Sequence, residues 1–332
     1  MKVVLFGGSF DPIHDGHLNM ALLALTQRKA DEVWFIPNQV SPFKQQKTSF
    51  KDRLKMVELM IENHPQLKVF DLEGQSLGPS YTIDTIKQLQ TLYPTIQFEF
   101  LIGDDQVLNL SKWKDYDELM KRVQFIVYSR LSQEHDFPTV SGDIISVSSS
   151  EIRQGNSFKT SKEVLRYMMK KGLYLDEMIK ERLSSYRYEH SLRVTKLALE
   201  LGEHHGLDTE QIYLCAMWHD AYKEDPNLDK MIHEFLPEMF DKPQAFYHAY
   251  LAAYSLKHSY YVDCDAVYDA IWNHVDGGSK AKLAKILYIA DKCEPKRNYD
   301  TETLLTQCFE DLDKGFEAVK KDQENYLKRS RK

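Results

Sequence analysis

Residues 5–18 read LFGGSFDPIHDGHL: a short apolar run that ends in a glycine pair, a proline and two histidines. Gly7 and Gly8 let a backbone come close to a ligand or take a positive φ. Pro12 stiffens the turn. Asp15 is placed to cap a helix starting near Gly16. The free N–H groups and positive dipole end of such a helix suit phosphate. His14 and His17 stand three apart, so both can face the same phosphates. A second chemical stretch is MWHDAYKE, residues 217–224. His219 and Asp220 are adjacent, and on a helix adjacent side chains diverge by about 100°. Both therefore reach one ion only where helices cross. His190, His248, His274 and Asp291 lie on other helix-like segments and can supply the remaining ligands. Imidazole with carboxylate suits Fe, Mn, Zn or Ni more than Ca or Mg.

The elements that must position these groups differ between the two halves. In the first half, apolar runs at Lys2–Phe6, Glu32–Ile36, Leu67–Leu72, Gln97–Ile102 and Val123–Tyr128 alternate with helix-like segments near 17–28, 49–63, 82–92 and 115–121. That alternation predicts an α/β fold, a doubly wound parallel sheet covered on both faces. Ligands then sit at the carboxyl ends of strands, where GGSFDPIHDGH lies. Beyond residue 160 strand-like runs stop. Helical periods follow near 162–171, 176–184, 188–205, 209–221, 245–258, 265–274, 280–292 and 302–328. Eight of the twelve histidines fall after residue 175, which marks a second chemistry. The expected domains are 1–174 and 175–332, the second all-α.

Composition narrows the function classes. The chain has 332 residues, too many for one typical domain, and a net charge of -7. That balance, with no basic stripe and no groove-reading motif, argues against a nucleic-acid partner. No run of about 18 apolar residues suggests a membrane span, and MKVVLFGG reads as a strand rather than a leader. Cys215, Cys264, Cys293 and Cys308 form no CxxC pair, so reduced thiols in a cytoplasmic protein are expected. The oligomeric state stays open, a homo-oligomer included.

The string GGSFDPIHDGHL resembles the opening motif of the HxGH nucleotidyltransferase superfamily, here His14–His17, and is most similar to bacterial nicotinate-nucleotide adenylyltransferases (NadD-like). SPFK (41–44) supplies Lys44. PSYTIDTI (79–86), with Thr82, resembles a segment beside the mononucleotide pocket. FLIGDDQVLNLSKW (100–113) carries Asp105 and Trp113, and ISVSSSEIR (145–153) carries Ser149, Ser150 and Arg153. The resemblance implies a Rossmann-like fold and adenylyl transfer from ATP, with Mg²⁺, to nicotinate mononucleotide, giving nicotinate adenine dinucleotide for NAD biosynthesis. It assigns His14, His17, Lys44 and Arg153 to catalysis. Gly7, Gly8, Ser9, Phe10, Thr82, Asp105, Trp113, Ser149 and Ser150 go to substrate binding, with Ser149 and Ser150 capping a second phosphate-holding helix start. Ser9 and Ser150 replace threonines and keep the hydroxyl. Asp104 replaces the alanine of the family's GAD and puts an extra carboxylate near an anionic substrate. Amidated nicotinamide mononucleotide is an alternative acceptor.

The order H…HD…H…H…D resembles the HD metal-dependent phosphohydrolase superfamily. The best match is the YqeK-type branch, which splits diadenosine tetraphosphate symmetrically into two ADP. The resemblance implies one or two divalent transition metals. His190, His219, Asp220 and Asp291 would hold one, and His248 with His274 would complete a second position. Arg187, Lys223 and Arg297 would grip phosphates, with Asp220 and Lys223 counted as catalytic, and Glu294 matches a helper position. After His274 the family tends to carry a hydroxyl residue, whereas this chain has Val275, Asp276 and Gly277. The alternatives are another nucleotide substrate or a non-catalytic nucleotide sensor.

Overall fold

Runs of Val, Ile, Leu and Phe with no polar face become the interior strands of a parallel sheet in the computed structural model. The structure describes residues 1–40, 46–72, 81–130, 135–296 and 301–330. Lys44, Arg297 and the first two residues of PSYTIDTI lie outside them. The described chain divides into two compact units, Met1–Val164 and Leu165–Lys332. The division falls inside the helix Lys162–Lys170, upstream of the composition change near residue 174.

In the first unit the strands are β1 (Lys2–Gly8), β2 (Glu32–Pro37), β3 (Leu67–Val69), β4 (Gln97–Gly103), β5 (Gln124–Tyr128) and β6 (Thr139–Val140). All pairings are parallel, in the order β3-β2-β1-β4-β5-β6. The helices are α1 (Asp15–Gln27), α2 (Phe50–Ile61), α3 (Thr82–Leu92), α4 (Asp104–Val107), α5 (Tyr116–Arg122) and α6 (Ser149–Arg153), with α7 (Lys162–Lys170) at the division. The chain leaves β1 toward β2 on one side and returns to β4 on the other. This reversal opens a crevice at the carboxyl ends of β1 and β4. One core layer packs Leu5, Ile83, Ile86, Phe100 and Phe125 between sheet and helices. The two-residue β6 is an addition to the sequence reading; it is too short to carry an apolar period.

The second unit is helical: α8 (Leu175–Arg182), α9 (Ser185–His204), α10 (Thr209–Trp218), α11 (Leu228–Phe235), α12 (Tyr247–His258), α13 (Asp265–Trp272), α14 (Lys282–Cys293), α15 (Glu302–Glu310) and α16 (Leu312–Ser330). Trp218 is fully buried, and its Nε1 donates to Ala252 O at 3.2 Å and Ser255 Oγ at 3.1 Å. α11 is a further addition. The single helix expected over 302–328 is two. Asp311 is extended, and its carboxylate accepts from the N–H of Asp313 at 3.1 Å and of Lys314 at 3.0 Å, so it ends one helix and caps the next. Gly315 permits the close return: a Cβ there would meet Cys308 Cα at 2.4 Å. Gly315→Val should therefore cost the helical unit about 1–3 kcal/mol by overpacking, read as a lower urea midpoint; an unchanged midpoint would contradict this close approach.

Candidate active sites

The loop leaving β1 is held through its own carbonyls. Arg53 NH1, from α2, donates to Ser9 O at 2.7 Å, and its NH2 to Gln39 O at 3.2 Å. Arg153 NH1 donates to Asp11 O at 2.6 Å, Ser149 Oγ to Pro12 O at 2.8 Å and Thr160 Oγ1 to Ile13 O at 3.0 Å. The Asp11 carboxylate accepts from Lys47 N at 2.6 Å and Thr48 Oγ1 at 2.8 Å. Phe10 sits at φ 49° and is 2% exposed, its ring edge-on to Phe6 and Phe35. Burial of that ring offsets an unfavourable backbone. Gly8 is required beside it, because a Cβ would lie 2.9 Å from Phe10 Cζ.

The histidines stack on each other, ring centroids 3.7 Å apart, with His17 also edge-on to Phe10. Gly16 makes room: a Cβ there would press on the His14 ring at 3.1 Å. The helix start differs in detail from the sequence reading. His14 is the N-cap of α1 and Asp15 lies in the first turn without capping. At α6 the cap is Ser148, in a reciprocal box with Glu151. Ser149 instead ties down the first loop, and Ser150 Oγ accepts from Arg153 NH2 at 3.1 Å.

These groups surround a cavity of about 940 Å³ at the switch point. Gly7, Gly8, Ser9, Phe10, His14, His17, Thr82, Asp105, Trp113, Ser149, Ser150 and Arg153 all line it. Trp113 is half-buried, edge-on to Phe100 and Phe125. Arg130 also lines the cavity and was missed in the sequence. It follows β5, and only the strand order reveals that β5 borders β4 at the crevice. Burial, then the Arg130 charge, pushes His14 down to about 4. His14 is thus neutral at pH 7, and its Nδ1 is buried without a hydrogen-bond partner.

In the second unit all six proposed ligands are buried: His190, His219, Asp220, His248, His274 and Asp291. His190 comes from α9, His248 from α12 and Asp291 from α14. His219 and Asp220 are not on a helix: α10 ends at Trp218, and the pair occupies the turn beyond it. His274 likewise follows the end of α13. His219 keeps helical dihedrals, φ -55° and ψ -41°, so its convergence with Asp220 depends on neighbouring helices bringing their ligands to both. His190, His219 and Asp220 bring ligand atoms within 4.8 Å of one another, and so do Asp220, His248 and His274. Asp220 belongs to both groups. Asp291 Oδ1 lies 3.1 Å from His190 Nε2, beside the first group.

The surroundings fit metal binding. His219 Nδ1 donates to Ala216 O at 2.7 Å and His274 Nδ1 to Ile271 O at 2.7 Å. Both Nε2 atoms are thereby left as lone-pair donors, and His219 Nε2 is buried with no hydrogen-bond partner. Burial pushes His219 down to about 4, so it is neutral. Burial alone would raise Asp220; His219, His248, His274 and Lys223 outweigh it and hold the carboxyl well below the usual range. Glu294 Oε1 lies 3.4 Å from His190 Nδ1, while its Oε2 accepts from Arg193 Nε at 2.6 Å. Arg193 is a further residue the sequence did not reveal; it stands three after His190 on α9. Lys223 Nζ is 3.1 Å from His248 Nε2 and Arg187 NH1 is 3.8 Å from Asp220 Oδ2. The Asp276 carboxylate accepts from Gly278 N at 3.0 Å, so it is engaged in its own turn.

Comparison with known proteins matches a cytidylyltransferase-like family over residues 5–155 and the HD domain over 187–296. A Mycoplasma pneumoniae protein named "Probable nicotinate-nucleotide adenylyltransferase/Ap4A hydrolase" is 31% identical over 90% of this chain and 90% of its own. A Mycoplasma genitalium protein of the same name is 30% identical over 90% of this chain and 89% of its own. The nicotinate-nucleotide adenylyltransferase of Bacillus subtilis is 40% identical over 52% of this chain and 98% of its own.

A titration checks the cavity's electrostatics. His14 ring protons should titrate near pH 4 in the substrate-free protein, and the midpoint should rise when ATP binds, since a nearby anion favours imidazolium. A midpoint near the ordinary histidine value without ATP would contradict the buried, Arg130-facing geometry.

Proposed function

We infer that this chain, which belongs to the family of nicotinate-nucleotide adenylyltransferase/Ap4A hydrolases, carries two reactions, one in each unit. In the first, the phosphate of nicotinate mononucleotide attacks the α-phosphorus of ATP, nicotinate adenine dinucleotide forms and pyrophosphate leaves. The attacking phosphate is ionised at neutral pH, so no general base is needed and catalysis is positioning plus charge stabilisation. His14 and His17 donate to the phosphates; Lys44 and Arg153 offset developing charge. Gly7, Gly8, Ser9, Phe10, Ser149 and Ser150 shape the ATP side, and Thr82, Asp105 and Trp113 the mononucleotide side. Mg²⁺ travels with ATP. The supporting observation is that every described residue of this set lines one cavity at the switch point of the sheet.

In the second unit the substrate is diadenosine tetraphosphate, and water splits it into two ADP. His190, His219, Asp220 and Asp291 hold one divalent ion of the Fe, Mn, Zn or Ni type. Asp220, His248 and His274 hold a second. Bound ions of this kind supply water activation and neutralise phosphate charge. Glu294 orients the His190 ring. Arg187, Lys223 and Arg297 grip the polyphosphate. Two buried ligand groups sharing Asp220 support this reading. A cytoplasmic setting suits both reactions and the four free thiols.

Metal-loaded protein incubated with diadenosine tetraphosphate should release ADP alone. Asp220→Ala should abolish this, and so should a chelator, while His17→Ala should retain it. Formation of nicotinate adenine dinucleotide should follow the reverse pattern, lost by at least about 100-fold in His17→Ala and kept in Asp220→Ala. ATP plus AMP as products, or no turnover with metal confirmed in place, would refute the symmetrical hydrolase.

A further inference from the structure

Asp104 is the first residue beyond β4 and is fully buried, 0% exposed. A buried carboxylate is costly unless it is paired and hydrogen-bonded. Asp104 Oδ2 accepts from Arg130 N at 2.5 Å, and Oδ1 lies 3.7 Å from Arg130 Nε. The sheet brings these residues together: Gly103 of β4 registers with Tyr128 of β5, so the two chain exits run side by side. Asp105, the next residue, accepts from Arg130 NH2 at 2.5 Å. One arginine is thus hydrogen-bonded at its backbone N–H by a buried acid, whose second oxygen pairs with Nε only as a charge across 3.7 Å, and at its outer nitrogen by a half-exposed acid. Arg130 lines the cavity, whereas Asp104 does not. The positive charge of Arg130 acts on His14 across that space.

We propose that Asp104 is a positioning residue for adenylyl transfer, fixing Arg130 against a nucleotide phosphate in the first cavity. This rests on the adenylyl-transfer reading of that cavity. Asp104 does not line the cavity, and its carboxylate contacts the arginine that does. An arginine preset by two acids spends less conformational entropy when a phosphate arrives. Asp105 can release the outer nitrogen to the phosphate while Asp104 keeps the guanidinium in place.

Two readings of Asp104 predict opposite signs. If its negative charge merely repels substrate, removing it lowers KM. If it presets Arg130, removing it raises KM. The experiment compares Asp104→Ala, Asp104→Asn, Arg130→Ala and the Asp104→Ala/Arg130→Ala double variant, with ATP and nicotinate mononucleotide each varied. Asp104→Ala should raise the KM of at least one nucleotide by about tenfold with a smaller change in kcat. Asp104→Asn should fall between, because its amide oxygen still accepts from Arg130 N but the charge is gone. In the Arg130→Ala background the Asp104 substitution should have no further effect on kcat/KM. A fall in KM, an unchanged KM, or an equal effect in both backgrounds would overturn the proposal. Failure of the wild-type chain to make the dinucleotide would instead overturn the reading it rests on.

Discussion

Four carbonyl oxygens in one loop, those of Ser9, Asp11, Pro12 and Ile13, are each held by a side chain from elsewhere in the chain: Arg53, Arg153, Ser149 and Thr160. An irregular buried loop must satisfy its backbone polar groups, and here the partners are drawn from sequence positions up to 147 residues away. The β1 side of the first cavity depends on that restraint. The loop can present glycines and a strained Phe10 to a ligand because its course is set from behind. The histidine pair then needs only the start of α1 and the absence of a Cβ at Gly16 to stack at the cavity wall.

The same economy governs cation placement. Arg53 is buried and acts on backbone, Arg153 both lines the cavity and holds the loop, and Arg130 is held by acids at the end of the neighbouring strand. Side chains with fixed donors lose less entropy on meeting a phosphate than free ones do. In the second unit the corresponding restraint is the shared carboxylate of Asp220. Two histidines present Nε2 because their Nδ1 atoms are committed to carbonyls of the preceding turn, at Ala216 and Ile271. Orientation of these two ligands is thus achieved locally, by the carbonyl three residues before each, while convergence of the set is achieved by helix packing.

Much of this was legible in residue order. The five longer strands and the change to an all-helical second half stand out by period, and the HxGH loop and the H…HD…H…H…D series by their resemblance to known families. The errors cluster at helix ends. Asp15 and Ser149 had the chemistry of caps, yet His14 and Ser148 occupy those positions, because a cap is decided by backbone direction and not by residue type alone. Apolar periodicity after residue 302 continues across Asp311; the break there depends on two helices folding back at Gly315, a contact that no local pattern records.

What the sequence by itself determined is the chemical inventory and the kind of scaffold: phosphate-binding groups behind a first strand, metal-type ligands on helices or just past their ends, a parallel sheet followed by helices. These depend on local periodicity and residue chemistry, which are properties of neighbours in the chain. Tertiary structure alone decided which charges meet. Arg130 joins the first cavity because β5 lies beside β4, Asp104 meets that arginine without lining the cavity itself, and Glu294 with Arg193 backs His190 because α14 packs on α9. Such pairings are set by strand order and helix crossing, over separations of 26 to 104 residues, where spacing along the chain carries no information about distance in space.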